Sequence, residues 1–272
     1  MNVSTRGVEL RDVTFSYQDS RPGWISSIAQ GVLRSSGRKS SRDPGSAKQH
    51  PTSRIDLTVP SLDLDPGLTL LLGPNGSGKS TMLKLVAGIE PPATGIVSID
   101  GMDLWARERE ARLGIAYIPE QPDLSPYAAV GEVVRLVCSL RNVPWSAGQE
   151  MLERVGLGGL EHRTVRELSQ GQKRRALFAS AFLGEATTLV LDEPLVSLDL
   201  DMREMFLAWL RERLDAGACA LLSTHELEPF ANAVNSVVSV KGGQVVKSAP
   251  PERGSGRLEK LRSLARGSDS VD

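Results

Sequence analysis

The chain has 272 residues, of which 40% are hydrophobic and 24% charged, and its formal net charge is -1 at pH 7. This length permits a large core in one or two domains, while the near-neutral charge argues against a surface built mainly for nucleic acid. Apolar runs such as "LTLLLG" are much shorter than the roughly 18 to 20 residues of a membrane-spanning helix, and the N-terminus shows no secretory signal. We therefore expect a cytoplasmic protein that does not cross a bilayer itself.

Strand and helix patterns alternate along most of the chain. The segments "VELRDVTFSY", "RIDLTVPSLDL" and "LTLLL" predict three strands, and "KSTMLKLVA" predicts a helix that ends at Gly88. Further strands are expected at "GIVSID", "LGIAYI", "TTLVL" and "ACALLS", and "VVSVKGGQVV" is typical of a hairpin. Such alternation favours a mostly parallel sheet covered by helices, with ligand chemistry at the carboxyl ends of the strands.

Two segments interrupt this alternation within a main domain that we assign to residues 5–247. Residues 122–168 contain "VGEVVRLVCSLRNV" and "GQEMLERVGL", both at helical spacing with no convincing strand between them, which predicts an inserted helical subdomain. Residues 18–54 are rich in Ser, Gly and Pro, as is typical of a mobile loop. Residues 248–272 are expected to form a tail that is too short and too polar for a regulatory domain.

The insertion at 18–54 also contains a possible amphipathic helix. Five apolar residues fall near one face, and four basic residues follow them: Trp24, Ile25, Ile28, Val32 and Leu33, then Arg34, Arg38, Lys39 and Arg42. A basic amphipathic segment can lie on an anionic membrane or on a partner. The alternative, which we favour, is a partly ordered insertion whose helix packs on its own domain.

A glycine-rich loop stands between the third predicted strand and the first predicted helix. "GPNGSGKST" matches G-x-x-x-x-G-K-[ST], and the strand and the helix lie where this motif requires them. Its glycines let backbone N–H groups point at phosphates, Lys79 reaches the outer phosphates, and the Ser80 hydroxyl can bind Mg²⁺. We expect a nucleotide phosphate site formed by Gly73, Pro74, Asn75, Gly76, Ser77, Gly78, Lys79, Ser80 and Thr81.

Two carboxylates end another apolar strand. "TTLVLDEP" runs into Asp192 and Glu193, and burying this pair is costly unless it serves a metal or a water. We expect Asp192 to hold Mg²⁺ through water and Glu193 to polarise the attacking water. The alternative is an acidic pair that begins a helix, but the apolar strand directs both carboxylates to the sheet edge where the glycine loop lies.

The basic run at 173–175 could suggest a nucleic-acid patch. Adjacent residues of a helix point about 100° apart, so the three side chains do not share one face. We interpret Lys173, Arg174 and Arg175 as a solvated first turn and expect no nucleic-acid partner.

Together these pieces resemble the nucleotide-binding subunits of ATP-binding cassette (ABC) transporters over nearly the whole chain, except the insertion and the tail. The most specific match is "LSQGQKRR" at 168–175, which resembles the family signature. The resemblance implies an α/β P-loop NTPase core with a mostly parallel sheet, N-terminal antiparallel strands and an inserted helical subdomain. It also implies a head-to-tail dimer around ATP, in which Ser169 and Gly171 of one subunit cap the γ-phosphate held by the other.

Further positions match the family pattern. Tyr17 matches the aromatic residue that stacks on adenine, although a core tyrosine at a strand end is the alternative. His225 in "LLSTHE" matches the histidine that senses the γ-phosphate. Asp199 in "EPLVSLD" matches the residue that contacts the opposite subunit, although "LVS" replaces the more usual small or polar residues.

The family's glutamine that helps coordinate Mg²⁺ and reports to the membrane partner has two candidates here. After "AYIP" the chain reads Glu120 and then Gln121. A strict alignment leaves Glu120 at this position, a variation associated with some exporter subunits, whereas a shift of one residue in the loop places Gln121 there. Both stay candidates for the nucleotide and metal site.

The resemblance implies a motor subunit that hydrolyses ATP with Glu193 and His225 as catalytic residues. Mg²⁺ would be bound by Ser80, Asp192 and Gln121. The implied partners are an integral membrane permease and a second ATP-binding subunit, identical or not, so the chain would lie on the inner face of the cell membrane. Residues 117–143 resemble export-type subunits, which leads us to expect export.

Two other functions use the same nucleotide motifs. Chromosome-maintenance and repair ATPases share this head but separate its two nucleotide motifs with long coiled coils or zinc modules, whereas here the interval from Lys79 to Asp192 has neither sustained heptads nor clustered cysteines. A module that closes on ATP and hydrolyses it poorly is the other alternative, since Glu120 and the residues after Glu193 depart from the usual pattern.

Overall fold

The structure, a computed structural model, describes residues 7–17, 57–254 and 256–267. Ten strands of these ranges form one sheet: β1 Val8–Phe15, β2 Leu57–Leu64, β3 Gly67–Leu72, β4 Thr94–Ile99, β5 Met102–Asp103, β6 Ile115–Ile118, β7 Thr188–Asp192, β8 Cys219–Ser223, β9 Val234–Lys241 and β10 Gln244–Ser248. Their order across the sheet is β5-β4-β1-β2-β10-β9-β3-β8-β7-β6.

The helices cover both faces of this sheet. They are α1 Lys79–Val86, α2 Glu108–Leu113, α3 Val130–Leu140, α4 Trp145–Arg154, α5 Gln170–Phe182, α6 Leu200–Asp215 and α7 Arg257–Arg266, and a 3-10 turn lies at Val165–Glu167.

The sheet has a parallel half and a largely antiparallel half. β3 pairs in parallel with β8 and β9, and β7 pairs in parallel with β6 and β8. β1 pairs antiparallel with β2 and β4, and β9 and β10 form the predicted hairpin around Gly242 and Gly243. Both glycines have positive φ, as a tight two-residue turn requires. The predicted α/β fold is confirmed, with most of its parallel pairing in the half of the sheet around β3 and one further parallel pairing between β2 and β10.

The central strands are buried on both faces. All residues of β7 and β8 are buried, and so are all residues of β3 except the first, as is typical of parallel strands covered by helices. Leu70 packs with Phe178 of α5 and Phe206 of α6 in one core cluster, whereas Leu71 packs with Met82 of α1 in the other. Successive side chains of a strand point to opposite faces, so β3 holds the two clusters together.

The segment predicted as a helical subdomain contributes α3, α4 and the 3-10 turn, and α5 follows it directly. Val134 and Leu152 are fully buried in the same cluster as α5. Arg141, just after α3, donates hydrogen bonds to the backbone carbonyls of Ile115 and Ala181. This arginine therefore links the helical segment to the edge strand β6 and to the end of α5.

Four elements were not predicted from the sequence: β5, α2, α6 and α7. β5 and α2 are too short for a periodic pattern to show. In α6 the buried residues Met202, Phe206 and Leu210 recur every fourth position, which is a helical spacing that could have been recognised. α7 lies within the expected polar tail, and Leu261 is the one residue of this helix that is fully buried in the core.

Two further expectations concern the insertion and the membrane. The insertion predicted at 18–54 lies outside the described residues. Among the residues that are described, no helix combines the length and the apolar character that crossing a membrane requires.

We predict that Phe206→Ala lowers the free energy of unfolding by about 3 to 5 kcal/mol, because the ring is fully buried against the rings of Phe178 and Trp209. Urea denaturation measures this loss. Leu136→Ala, at a position that is 59% exposed, is the control and should change the unfolding free energy by no more than about 0.5 kcal/mol. Equal effects of the two substitutions would contradict the packing of this aromatic cluster.

Candidate functional site

The glycine-rich loop connects the carboxyl end of β3 to the first turn of α1. Gly73, Gly76 and Gly78 all have positive φ, and a Cβ on Gly73 would collide with the backbone carbonyl of Val240. Lys79 Nζ donates to the carbonyl oxygens of Gly73, at 2.8 Å, and of Pro74, at 3.1 Å. The loop therefore curls around its own lysine and leaves the amide groups at the start of α1 available to an anion.

Asp192 ends β7 and is buried at the same edge of the sheet. Its Oδ1 accepts a hydrogen bond from the hydroxyl of Ser223, the last residue of the neighbouring strand β8. The adjacent pairing of β7 and β8 thus supplies a donor that holds one carboxylate oxygen in place.

Glu193 follows directly and has a backbone φ of 46°, in the left-handed region that a glutamate seldom adopts. Its backbone N–H donates to the carbonyl of Ser223 at 3.0 Å. Its Oε2 accepts from the backbone N–H of His225 at 3.2 Å, and its Oε1 lies 3.5 Å from His225 Nε2. These contacts hold a strained backbone and aim the carboxylate at the loop after β8.

Burial changes the proton affinity of two groups in this region. It raises the pKa of the Glu193 carboxyl above the ordinary value for glutamate, although the hydrogen bond from the His225 amide opposes the change. Burial also lowers the pKa of Lys79, which the negative charges of Glu193 and Asp192 counteract. A carboxyl with a raised pKa is better suited to accept a proton near neutral pH than an exposed one.

Tyr17 lies two residues after β1 and approaches the glycine loop from the antiparallel half of the sheet. Its hydroxyl lies 3.1 Å from the hydroxyl of Thr81 in α1, and its ring packs edge-on against Phe15. The Tyr17 side chain is 47% exposed and lines the same cavity as Lys79.

A cavity of about 580 Å³ joins these groups. It brings together most of the site residues predicted from the sequence, which are Tyr17, Asn75, Gly76, Gly78, Lys79, Ser80, Thr81, Glu120, Asp192, Glu193 and His225. Val196 and Glu226 also line it and were not predicted as site residues. Each of these two lies within three residues of a predicted catalytic residue, and that proximity is the signal that could have found them.

The cavity distinguishes the two candidates for the family's glutamine. Glu120 lines it, whereas Gln121 is not among the described residues that do so. Glu120 follows β6 by two residues and therefore lies at the edge of the sheet where β3, β7 and β8 also end.

Ser169 and Gly171 lie apart from this cavity, at the start of α5. Ser169 is the N-cap of the helix, its Oγ accepting from the amide of Gln172 while the Gln172 side chain accepts from the Ser169 amide. Gly171 is exposed, and a Cβ there would meet nothing within 4 Å. The two residues form an open surface at a helix N-terminus that can take an anion from another molecule.

Asp199, the predicted contact to an opposite subunit, is engaged within its own chain. It is the N-cap of α6, with Oδ1 accepting from the amide of Met202 at 3.0 Å, and its Oδ2 pairs with the guanidinium of Arg175. Both contacts lower the pKa of the Asp199 carboxyl.

The interpretation of residues 173–175 as a solvated turn is wrong for Arg174. This arginine is 3% exposed, and its guanidinium points into the core below the start of α5. Arg175 is also partly covered, because it donates to the carbonyl of Val155 and to Asp199. The three basic side chains point in different directions, as helix geometry requires, and that of Arg174 points into the core.

The oxygen donors around the cavity fit Mg²⁺. Ser80, Glu120 and Asp192 offer a hydroxyl and two carboxylates, which are hard ligands of the kind that this ion prefers. The described residues contain no cluster of three or more His, Cys, Asp or Glu side chains that could hold a metal ion. Mg²⁺ needs no such cluster beside a nucleotide, because phosphates and waters complete its coordination.

Curated proteins with similar sequences have longer chains. A sulfate/thiosulfate import ATP-binding protein from Thermosynechococcus vestitus is 36% identical over 202 residues, covering 71% of this chain and 60% of that protein. An Fe(3+) ions import ATP-binding protein from Brucella abortus is 34% identical, covering 70% of this chain and 56% of that protein. The chain therefore spans somewhat over half the length of these relatives. Their names describe import and do not support the predicted export.

Solved structures share the fold. The ATP binding subunit of an ABC transporter superposes with a TM-score of 0.70 at 24% identity and covers 96% of this chain. A dimeric bacterial ABC transporter cassette superposes with a TM-score of 0.67 at 21% identity and covers 90% of this chain. The family model described as ABC transporter matches residues 57–196, which include the glycine loop, the start of α5 and both carboxylates. The chain is a member of the ABC transporter family.

Proposed function

We propose that this chain is an ATP-hydrolysing subunit that dimerises around ATP and drives transport by a separate membrane subunit. The observation that carries the proposal is the Glu193 carboxylate, which lines the same cavity as Lys79 and Ser80. This carboxylate has no lysine or arginine ion pair among the described residues, and it is held by the backbone and ring of His225. A buried, oriented base beside a phosphate loop is suited to activate water.

The groups around the cavity divide the chemistry between them. Lys79 and the amides of the glycine loop stabilise the outer phosphates, and Tyr17, which lines the same cavity, would stack on the adenine ring. Glu193 takes the proton of the attacking water, and His225 lies beside it in the same cavity, where it would contact the γ-phosphate. Mg²⁺, when bound by Ser80, Asp192 and Glu120 or Gln121, neutralises charge on the β- and γ-phosphates.

A second copy or a related subunit would complete the site. The start of α5 lies apart from this chain's own cavity, and Ser169 and Gly171 are both exposed there. In the proposed dimer they cap the nucleotide held by the other glycine loop, and ATP favours the closed dimer because it binds both surfaces. Asp199 would contact the opposite subunit only if its ion pair with Arg175 left the carboxylate accessible.

The surface between α2, α3 and α5 is our proposed docking site for a cytoplasmic helix of the permease. A groove of about 660 Å³ is lined there by apolar residues, among them Leu113, Tyr117, Val137, Leu140 and Leu177. Leu113 and Leu140 are 45% and 57% exposed, and Arg109 at the rim would pair with an acidic residue of the incoming helix. The groove adjoins β6, so movement of the permease would reach Glu120 through a short segment.

The chain would lie on the inner face of the cell membrane, held there by the permease. Export was predicted from residues 117–143, but the names of the relatives describe import and do not support that direction. The alternative function is a module that closes on ATP without hydrolysing it efficiently. Replacing Glu193 distinguishes this module from an ATP-hydrolysing motor.

We expect Glu193→Gln to lower the rate of ATP hydrolysis by at least about 100-fold while ATP binding is retained, because removal of a general base typically costs this much. Phosphate release measures the rate, and analytical ultracentrifugation with Mg-ATP should show a stabilised dimer. Glu204→Gln, an exposed carboxylate on α6, is the control and should leave both unchanged. Identical hydrolysis by the parent and the Glu193 variant, with the permease present, would remove the enzyme assignment.

We expect Lys79→Gln to weaken Mg-ATP binding by about 10- to 100-fold, the loss of one or two charged hydrogen bonds to phosphate. Titration with a fluorescent ATP analogue measures the affinity. Lys84→Gln lies on the outer part of the same helix and serves as the matched control with unchanged affinity. An unaltered Kd for the Lys79 variant would show that the phosphates bind elsewhere.

We expect an integral membrane protein to co-purify with the tagged chain from detergent-solubilised membranes. Leu140→Glu should reduce the recovered partner at least about tenfold, because it buries an unpaired charge in the groove. Ile96→Glu adds the same charge at an exposed position on β4 and should not alter recovery. Loss of the partner with both variants, or with neither, would contradict docking in this groove.

A further inference from the structure

A buried arginine connects the two loops that carry the carboxylates of the site. Arg174 Nη1 donates to the backbone carbonyls of Pro119 and Glu120, at 2.5 and 2.7 Å. Its Nη2 donates to the backbone carbonyls of Glu193 and Pro194, at 2.9 and 3.3 Å. One guanidinium therefore joins the loop after β6 to the loop after β7.

Burying a cation at this position is energetically costly. All four acceptors are neutral carbonyls, and the Nε of Arg174 has no partner among the described residues. Burial lowers the pKa of Arg174, and the charges of Glu120 and Asp192 oppose this change without a direct contact. The hydrogen bonds of this single cation must therefore offset its loss of hydration. All of the hydrogen bonds that Arg174 makes within the described residues go to carbonyls of the loops after β6 and β7, so the observed contacts assign it the joining of these two loops.

The shape of the guanidinium suits this task. Its N–H donors lie in a rigid plane, so one terminal nitrogen can serve each loop, whereas a lysine ammonium is a single point with a flexible stem. Phe178, one turn further along α5, has its ring centroid 5.4 Å from Arg174 Cζ and restricts the orientation of the plane.

The same helix carries the outward-facing anion site. Arg174 begins a buried stripe that continues through Leu177, Phe178 and Ala181, while Ser169 and its neighbours occupy the open end of the helix. Ser169 is the N-cap of this helix and Arg174 is its fifth residue. A displacement of the open end of the helix would therefore also move the guanidinium that contacts both carbonyl pairs.

We infer that Arg174 is a positioning residue that holds the backbone at Glu120 and at Glu193 in one hydrogen-bonded cluster and couples both to the position of α5. The inference rests on the proposed function, which assigns Glu193 its task. Contact of the α5 start with a nucleotide on the second subunit thereby reaches this chain's own base through one side chain. Arg174 acts through the backbone and touches no reacting atom.

Arg174→Lys tests the inference, because it keeps the charge and removes the fork. The matched control is Arg257→Lys. Arg257 is also buried, at 5% exposure, donates to the backbone carbonyl of Val234 at 2.9 Å, and its Nε has no partner within the described part of the chain. Val234 is the first residue of β9, which runs parallel to β3. Because β3 ends at the glycine loop, Val234 and Arg257 lie at the edge of the sheet opposite to that loop. A third variant, Lys173→Gln, removes a neighbouring charge on α5.

The first readout is hydrogen exchange of the nucleotide-free full chain, which does not depend on hydrolysis. Arg174→Lys should accelerate exchange about tenfold in peptides covering residues 118–121 and 192–196, since local opening becomes easier when the shared donor is lost. Arg257→Lys and Lys173→Gln should leave both peptides unchanged. Unaltered exchange at either loop overturns the inference, because a single affected loop shows no coupling.

The second readout is steady-state hydrolysis. Arg174→Lys should lower kcat about 10- to 100-fold and keep KM for ATP within about threefold, as expected when a base is misplaced but the phosphate loop is intact. A merely structural role predicts equal losses of kcat for Arg174→Lys and Arg257→Lys at equal losses of Tm, and that result overturns the inference. If the parent chain hydrolyses no ATP even with its permease, the proposed function fails, and the exchange measurement decides on Arg174 by itself.

Discussion

The parallel pairing of β3, β8, β7 and β6 is the constraint on which the site depends. Parallel strands end at the same edge of a sheet, so the loops that follow them meet there whatever their separation in the sequence. β3 leads into the glycine loop, β8 into His225, β7 into Asp192 and Glu193, and β6 into Glu120. Four neighbouring strands therefore deliver a phosphate cradle, a histidine and three carboxylates to one cavity.

Concentrating carboxylates at this edge has an energetic cost that the surrounding structure offsets. Asp192 is satisfied by Ser223, and Glu193 by the amide of His225, both donors from the end of β8 or the loop after it. Glu193 retains a raised pKa and a left-handed backbone in spite of these contacts. A carboxyl with a raised pKa on a strained backbone is characteristic of a functional site, because neither feature stabilises the fold.

The helix α5 connects an exposed surface to the core. Its N-terminal end exposes Ser169 and Gly171, while its inner face packs on the sheet through Phe178 and contacts the loops after β6 and β7 through Arg174. The groove beside α3 adds a further surface against the same helix, through Leu177. Nucleotide, second subunit and membrane partner would thus all act on one helix.

Local chemistry was sufficient to predict the glycine loop, the paired carboxylates and the elements that flank them. Short-range patterns determine a strand, a loop and a helix start, since the required residues are adjacent in the chain. The same patterns did not reveal α2 and β5, which are too short to show a period, or α7, whose single fully buried apolar residue Leu261 is hidden in a polar segment. The sequence also left open whether Glu120 or Gln121 faces the site. A shift of one residue in a loop changes which side chain points inward without changing the amino-acid composition of the loop.

The sequence by itself determined the family, the fold class and the residues able to bind a nucleotide, because each is encoded by neighbouring residues with specific chemistry. Only the tertiary structure decided that Glu120 reaches the cavity, that Asp199 pairs with Arg175 and that Arg174 is buried between two loops. Those facts depend on contacts between segments that are from about twenty to more than seventy residues apart. The direction of a side chain in such a contact is set by packing, which no local pattern records.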